Sequence, residues 1–250
     1  MIKIESTQVF GWEAAIRGAR NPMNSWEKSD STFLYRLLIK GNILKKIYRY
    51  IKKKIFHIED MECIDQKEEH EIKISDSMSI GPADHKLLMN LCKGGTEEAK
   101  WRRMIHVQMD VTAPLYWWKE FETYKVGTVS NSCSTMHKIH EKEFTLEDFS
   151  HEHIQDIFDD DYIDCLKNTV SWLNQARNEF LETKDKKYWW QMIQLLPSSY
   201  DQTRTVDLNY EVLASQYRQR KNHKLDEWHQ YCDWIKTLPY SEFITMEEET

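Results

Sequence analysis

The sequence predicts an α/β protein, and three observations carry that prediction. Two segments alternate apolar and polar residues as half-buried strands do: Ile2 to Ser6, and the run in which Ile105, Val107, Met109 and Val111 recur. Several longer segments, most of them in the second half, repeat apolar residues at helical spacing. Glycine (7) and proline (5) are scarce among 250 residues, which argues against a turn-rich all-β chain and against a disordered one.

Taken in order, Ile2 to Ser6 reads as a short strand, and Trp12 to Arg20 as a helix ended by Asn21-Pro22, because proline disfavours helix at the residue before it. Ser25 to Ser31 is a polar loop. From Arg36 to Lys54 the chain carries eight basic residues and no acidic one, and from Glu59 to Glu71 it turns acidic. The basic block has two readings: an amphipathic arm for a membrane surface or nucleic acid, or a surface element whose charges pair with the acidic block beside it. Pro82 to Lys93 reads as a helix stopped at Gly94-Gly95. A strand is expected over Arg103 to Val111, then an aromatic-rich helix over Leu115 to Lys125, then a loop over Thr128 to His140. Thr145-Leu-Glu-Asp148 has the pattern of a capped helix start. Helices are expected over Asp161 to Thr183, Tyr188 to Leu196, Leu208 to Arg220 and Lys224 to Leu238.

Length and composition bound the function. The chain is long enough to bury a substantial core as one domain, or to divide into two small ones. A net charge of −7 supplies no global field toward nucleic acid or anionic lipid, so neither is expected as a partner. No stretch is apolar for long enough to span a membrane, and the first residues lack the apolar core of a signal peptide. The five cysteines are odd in number, far apart and without a CxxC pair, which fits neither a disulfide framework nor a zinc ribbon. A reducing cytoplasm is the expected compartment. His137 and His140, with His151 and His153, lack a third ligand at standard spacing, so no metal is expected.

Four stretches carry a family resemblance. Ala15-Ile-Arg-Gly-Ala-Arg20 is similar to an early "VRAAR" helix, and Leu87 to Gly95 to a helix that leads into "HGHxTPFEH". Asp110-Val-Thr-Ala-Pro-Leu-Tyr116 and the residues after it are similar to "VxAPxFVARQWxRHRxxSxNExSxRY". Pro197, Asn209 and Arg220 keep spacings of twelve and eleven residues. In this order the segments resemble the flavin-dependent thymidylate synthases, over most of the chain except about residues 32–78, which look like a charged insertion. The resemblance implies a single domain over 1–250, a mixed twisted sheet flanked by helices with a helical C-terminal half, and a homotetramer. It also implies FAD-dependent methylation of dUMP or a related pyrimidine nucleotide, with methylenetetrahydrofolate and NADPH as cosubstrates. A diverged nucleotide-binding paralogue without that activity, and an oligomeric interaction protein, are the alternatives.

The signature itself is rewritten. Counting from Ala113-Pro114, the family's Arg-Gln pair falls on Lys119 and Glu120, and its Arg-His-Arg run on Thr123, Tyr124 and Lys125. The later Asn-Glu-x-Ser-x-Arg-Tyr falls on Ser130, Asn131, Ser132, Cys133, Ser134, Thr135 and Met136. By the resemblance, Arg220 contacts the pyrimidine ring and stabilises charge developing on it. Tyr124, Lys125 and Asn209 are the cofactor contacts, and Glu120, Asn131 and Cys133 the further substrate contacts. Arginine suits phosphate through two parallel charge-assisted bonds. Its absence here leaves Lys125 and a row of hydroxyls. Each residue also has a plain reading. Arg220 can be a solvated helix-end cation, Asn209 a helix cap, Cys133 an inert thiol, and Tyr116, Trp117, Trp118, Phe121 and Tyr124 core or subunit interface.

Overall fold

The computed structural model describes residues 1–38, 73–154 and 161–246. The basic and acidic blocks, from residue 39 to Glu71, lie outside the described residues. The chain divides into two compact units, one formed by residues 1–12 and 100–250, the other by residues 13–99.

The larger unit is built on a four-stranded sheet of β1 (Lys3–Phe10), β4 (His106–Pro114), β5 (Val129–Ser132) and β6 (Asp201–Asn209), in the order β1-β4-β6-β5. Every pairing in it is antiparallel. β4 and β6 lie at the centre, with Val107 opposite Leu208 and Met109 opposite Val206. These four side chains and Val111 are buried on one face, while Gln108 and Thr205 stay exposed. That is the period-2 alternation expected when one face of an antiparallel sheet meets the core. A bulge interrupts β1 between Glu5 and Gln8, where Ser6 takes a φ of 54°. Gly11 follows at a φ of +100°, and a β-carbon there would stand 2.1 Å from the Met104 carbonyl oxygen, so only glycine fits.

On the buried face sit α3 (Leu115–Phe121), α6 (Tyr210–Arg220), α7 (Asp226–Lys236) and the short α8 (Glu242–Thr245). The core between them is aromatic. Trp117 lies 4.9 Å from Trp228 and 5.0 Å from Phe121, centroid to centroid, and Tyr231 is 5.5 Å from Trp228. These rings are almost wholly shielded from water. α4 (Asp161–Thr183) and α5 (Lys186–Leu195) form an antiparallel pair over a second cluster of Phe144, Phe149, Leu166, Leu173 and Met192.

The smaller unit holds α1 (Trp12–Arg20) beyond its first residue, a β2 (Thr32–Leu38)–β3 (Lys73–Ser79) ribbon, and α2 (Pro82–Lys93). The ribbon pairs Thr32 with Ser79 and Leu38 with Lys73. Asp84 is fully buried and accepts bonds from Arg20 Nε at 2.6 Å, Ser29 Oγ at 2.7 Å, Ser31 Oγ at 2.6 Å and two backbone amides. Burial raises its pKa, but the Ser31, Ser29 and Arg20 contacts outweigh burial and hold the carboxyl below the usual range.

Several elements differ from the sequence expectation. The strand expected from Arg103 starts at His106, because 99–104 forms a 3-10 turn, and it runs on to Pro114, where a proline at a strand end forfeits no ladder bond. The helix expected to Lys125 tightens into a 3-10 turn after Phe121. The expected loop at 128–140 contains β5, whose four residues are all exposed and so carry no apolar alternation. The helix expected from Leu208 begins at Tyr210, preceded by the strand β6. Its inward positions include Gln202 and Arg204, polar residues that mask the alternation.

Candidate functional site

The Leu115–Phe121 helix and the C-terminal end of α6 bring Glu120 and Arg220 together across one hundred residues. Arg220 Nη1 donates to Glu120 Oε2 at 2.6 Å, and its Nε donates to the Tyr124 hydroxyl at 2.9 Å. That hydroxyl donates in turn to Gln219 Oε1 at 3.1 Å. The guanidinium also stacks 4.8 Å from the centre of the Trp228 ring and 5.6 Å from that of Tyr124, within cation–π range.

Two further donors reach the same Glu120 oxygen. Trp228 Nε1 lies at 3.1 Å and His223 Nε2 at 3.2 Å. His223 Nδ1 accepts the Leu225 amide at 3.2 Å, which places the ring proton on Nε2, where it donates to Glu120. One carboxylate oxygen therefore holds three donors from three side chains. Glu120 Oε1 and Arg220 Nη2 have no partner among the described residues, so the pair leaves one acceptor and one donor unused. The Arg220 side chain is 17% exposed and that of Glu120 is 35% exposed, which makes this a half-open site and not a solvated helix end.

Asn209 is the N-cap of α6, its Oδ1 accepting from the Glu211 and Val212 amides at 3.1 Å each. Its Nδ2 has no partner among the described residues and faces Gly127. Gly127 holds a φ of +80°, and a β-carbon there would meet that nitrogen at 3.0 Å. Beside it the buried Thr128 Oγ1 lacks a hydrogen-bond partner. Lys125 is exposed.

Asn131 and Cys133 stand at the exposed edge of the sheet. Asn131 pairs with Thr205, and the Cys133 backbone bonds to Thr203 O and Gln202 Nε2. No hydrogen bond or ion pair joins either to Arg220 among the described residues. Arg204, the cross-strand neighbour of Ser132, is engaged by Glu122 at 2.8 Å and lies over Trp118 at 4.4 Å. Of the aromatics, Trp117, Trp118 and Phe121 belong to the core, whereas Tyr124 belongs to the Arg220 cluster.

Sequence reading missed His223 and Trp228. Both follow Arg220 within eight residues, but neither matches a motif, and Trp228 looks like any apolar position of an amphipathic helix. A second buried network lies nearby, where the Tyr116 hydroxyl donates to Glu227 and Ser150 Oγ donates to Asp201 Oδ1 at 3.2 Å. Burial, then the Glu227 carboxylate, pushes the Tyr116 hydroxyl well above its ordinary pKa. Burial likewise pushes Asp201 up to about 6, with Ser150 pulling it back in part and Glu227 and Asp148 adding to the rise.

Comparison with known proteins places this geometry in a fold. No family model and no curated protein sequence matches the chain. Solved structures do match. The flavin-dependent thymidylate synthase ThyX from Helicobacter pylori, complexed with FAD and dUMP, superposes with a TM-score of 0.60 at 12% identity, covering 98% of each chain. A second structure of Thymidylate Synthase X from Helicobacter pylori, with FAD and dUMP, gives a TM-score of 0.59 at 12% identity, over 99% of this chain and 97% of that one. The chain thus has the fold of these enzymes. Among the described residues no helix is long and apolar enough to cross a membrane.

Proposed function

We propose that the chain is a thymidylate-synthase-like flavoprotein that acts on dUMP or a related pyrimidine nucleotide. One observation supports this most. Glu120, Tyr124 and Arg220, three positions that the family resemblance assigns to one nucleotide-and-flavin site, converge within hydrogen-bond distance, in a fold shared with enzymes that hold FAD and dUMP.

The residues present fit the ring of a flavin or base. Thr128 Oγ1 is a buried polar atom without a partner, Asn209 Nδ2 has none among the described residues, and the bare Gly127 lets the Asn209 side chain pack close against the backbone there. Asn209, Tyr124 and Lys125 are the residues that would hold the cofactor, Lys125 supplying the one cation of that stretch. When bound, the flavin supplies the hydride and relays the one-carbon unit from methylenetetrahydrofolate, with NADPH as reductant. The protein's own part is positioning and charge. Arg220, fixed by Glu120 and Tyr124, presents Nη2 to a ring carbonyl and stabilises negative charge as it develops there. The aromatic floor of Trp228 excludes water beneath the pair and keeps that interaction strong. Glu120, Asn131 and Cys133 complete the substrate contacts, and a homotetramer in the cytoplasm is the setting this reading carries.

A second reading is favoured by the Glu120–Arg220 pair itself and by Thr123, Lys125 and Thr135 at motif positions of arginine: a paralogue that binds a pyrimidine without methylating it. Reconstitution with FAD, followed by calorimetric titration of dUMP and an assay for tritium release from its C5 position, separates the two. Binding with release supports the enzyme, and binding without release supports the paralogue. Failure of FAD and of dUMP to bind overturns both. Light scattering that shows a monomer at micromolar concentration overturns the tetramer.

A further inference from the structure

We infer that Glu120 sets the charge selectivity of the Arg220 site, so that it takes an unphosphorylated pyrimidine nucleoside in preference to the nucleoside monophosphate. The inference rests on the pyrimidine part of the reading above and replaces its nucleotide by the nucleoside.

Glu120 is not a loose surface acid. Its Oε2 is fixed by Arg220, Trp228 and His223 at 2.6, 3.1 and 3.2 Å. Swinging it away would leave the indole N–H of Trp228, a fully buried residue, without its acceptor. The carboxylate therefore stays, and it compensates the guanidinium charge on the spot. What the pair leaves without a partner among the described residues is one acceptor, Glu120 Oε1, and one donor, Arg220 Nη2. One acceptor and one donor suit an uncharged ligand that carries an N–H and a C=O, as a pyrimidine ring does at N3 and its neighbouring carbonyl.

The phosphate side of the site points the same way. Residues 129–135, where the family resemblance puts the phosphate contacts, read Val-Ser-Asn-Ser-Cys-Ser-Thr and contain no cation. The arginine across from them, Arg204, is already paired with Glu122 at 2.8 Å. A phosphate monoester brings between one and two negative charges, and it would find hydroxyls without a cation in that stretch and a carboxylate, Glu120, at the Arg220 site. Lys125 is exposed, and its attraction is screened by water and salt. Like-charge juxtaposition of this kind is a strong means of excluding the wrong ligand.

The test is calorimetric titration of 2′-deoxyuridine and of dUMP into the FAD-reconstituted protein at low salt, for wild type, Glu120→Gln and Glu122→Gln. Wild type should bind 2′-deoxyuridine at least about ten-fold more tightly than dUMP. Glu120→Gln keeps the acceptor and the shape but not the charge, and should shrink that ratio about ten-fold by tightening dUMP. Glu122→Gln, at an exposed position, takes the charge from the partner of Arg204 while leaving its contacts with Gln202 and the Trp118 ring, and should shrink the ratio by a smaller factor. Equal or tighter binding of dUMP by wild type overturns the inference, as does an unchanged ratio in both variants; either result leaves the pyrimidine reading standing. If neither ligand binds any of the three proteins, the pyrimidine reading falls and the inference falls with it.

Discussion

Replacing Arg220 by alanine removes three contacts at once: the 2.6 Å pair with Glu120, the 2.9 Å bond to Tyr124, and the stacking over Trp228 at 4.8 Å. A hydrogen bond to a charged group is worth about 1.5–3 kcal/mol, but Glu120 is 35% exposed, so screening brings the ion pair down to about 1 kcal/mol. The Tyr124 bond contributes about 0.5–1 kcal/mol and the stacking about 0.5–1 kcal/mol. The expected loss is therefore about 2–3 kcal/mol, which in a chain of this size lowers Tm by about 4–12 °C. A double-mutant cycle isolates the pair. Glu120→Gln alone should cost about 1 kcal/mol, and Arg220→Ala on that background should cost about 1 kcal/mol less than it does in wild type. Urea titration followed by tryptophan fluorescence reads all four proteins, because Trp228 lies beneath the pair. A coupling below about 0.3 kcal/mol would refute the argument, since it would mean that Glu120 and Arg220 are held in place independently.

Three further outcomes follow from the fold. The folded chain binds a proton at Asp201 up to about pH 6, above the value of an unfolded aspartate, so the contribution of this group is complete below that unfolded value and is lost as pH rises through about 6. Asp201→Asn should remove this pH dependence and raise stability at pH 8 by about 1 kcal/mol after allowance for partial exposure, as measured by urea titration across pH. Asp84 has the opposite sign: its carboxyl is held low, so its contribution is present above the unfolded value and disappears as pH falls through the folded one. Asp84→Ala, which leaves the buried Arg20 without its counter-charge, should cost about 3–5 kcal/mol, and a loss under 1 kcal/mol would contradict the burial argument. Because Leu38 pairs with Lys73, replacing residues 39–72 by an Asn-Gly turn should close the β2–β3 ribbon and give a folded protein with little change in Tm. An insoluble or molten product would show that the segment belongs to the core.

The sequence disclosed the elements whose cause is local and obscured those whose cause is remote. Trp12–Arg20, Pro82–Lys93 and Asp161–Thr183 were legible at their full extent, because amphipathic spacing, proline and glycine act within a single turn or two. β6 was not, although it is central to the sheet, because Arg204 sits on its inward face. At that position the guanidinium is received by Gln202 Oε1 at 2.9 Å, two residues away, and by the Trp118 ring and Glu122, which are more than eighty residues away in sequence. The site obeys the same rule in reverse. Comparison with the family motif, position by position, counts Glu120 as a loss, a carboxylate where a nucleotide-contacting amide belongs. In three dimensions that carboxylate is the hub for Arg220, His223 and Trp228. The residue that departs from the motif and the residue that keeps its spacing are therefore partners. A glutamine at position 120 would offer the same three donors a neutral acceptor and leave the arginine's charge for a ligand. The acid instead compensates that charge internally, so the Glu120–Arg220 pair is neutral as a unit.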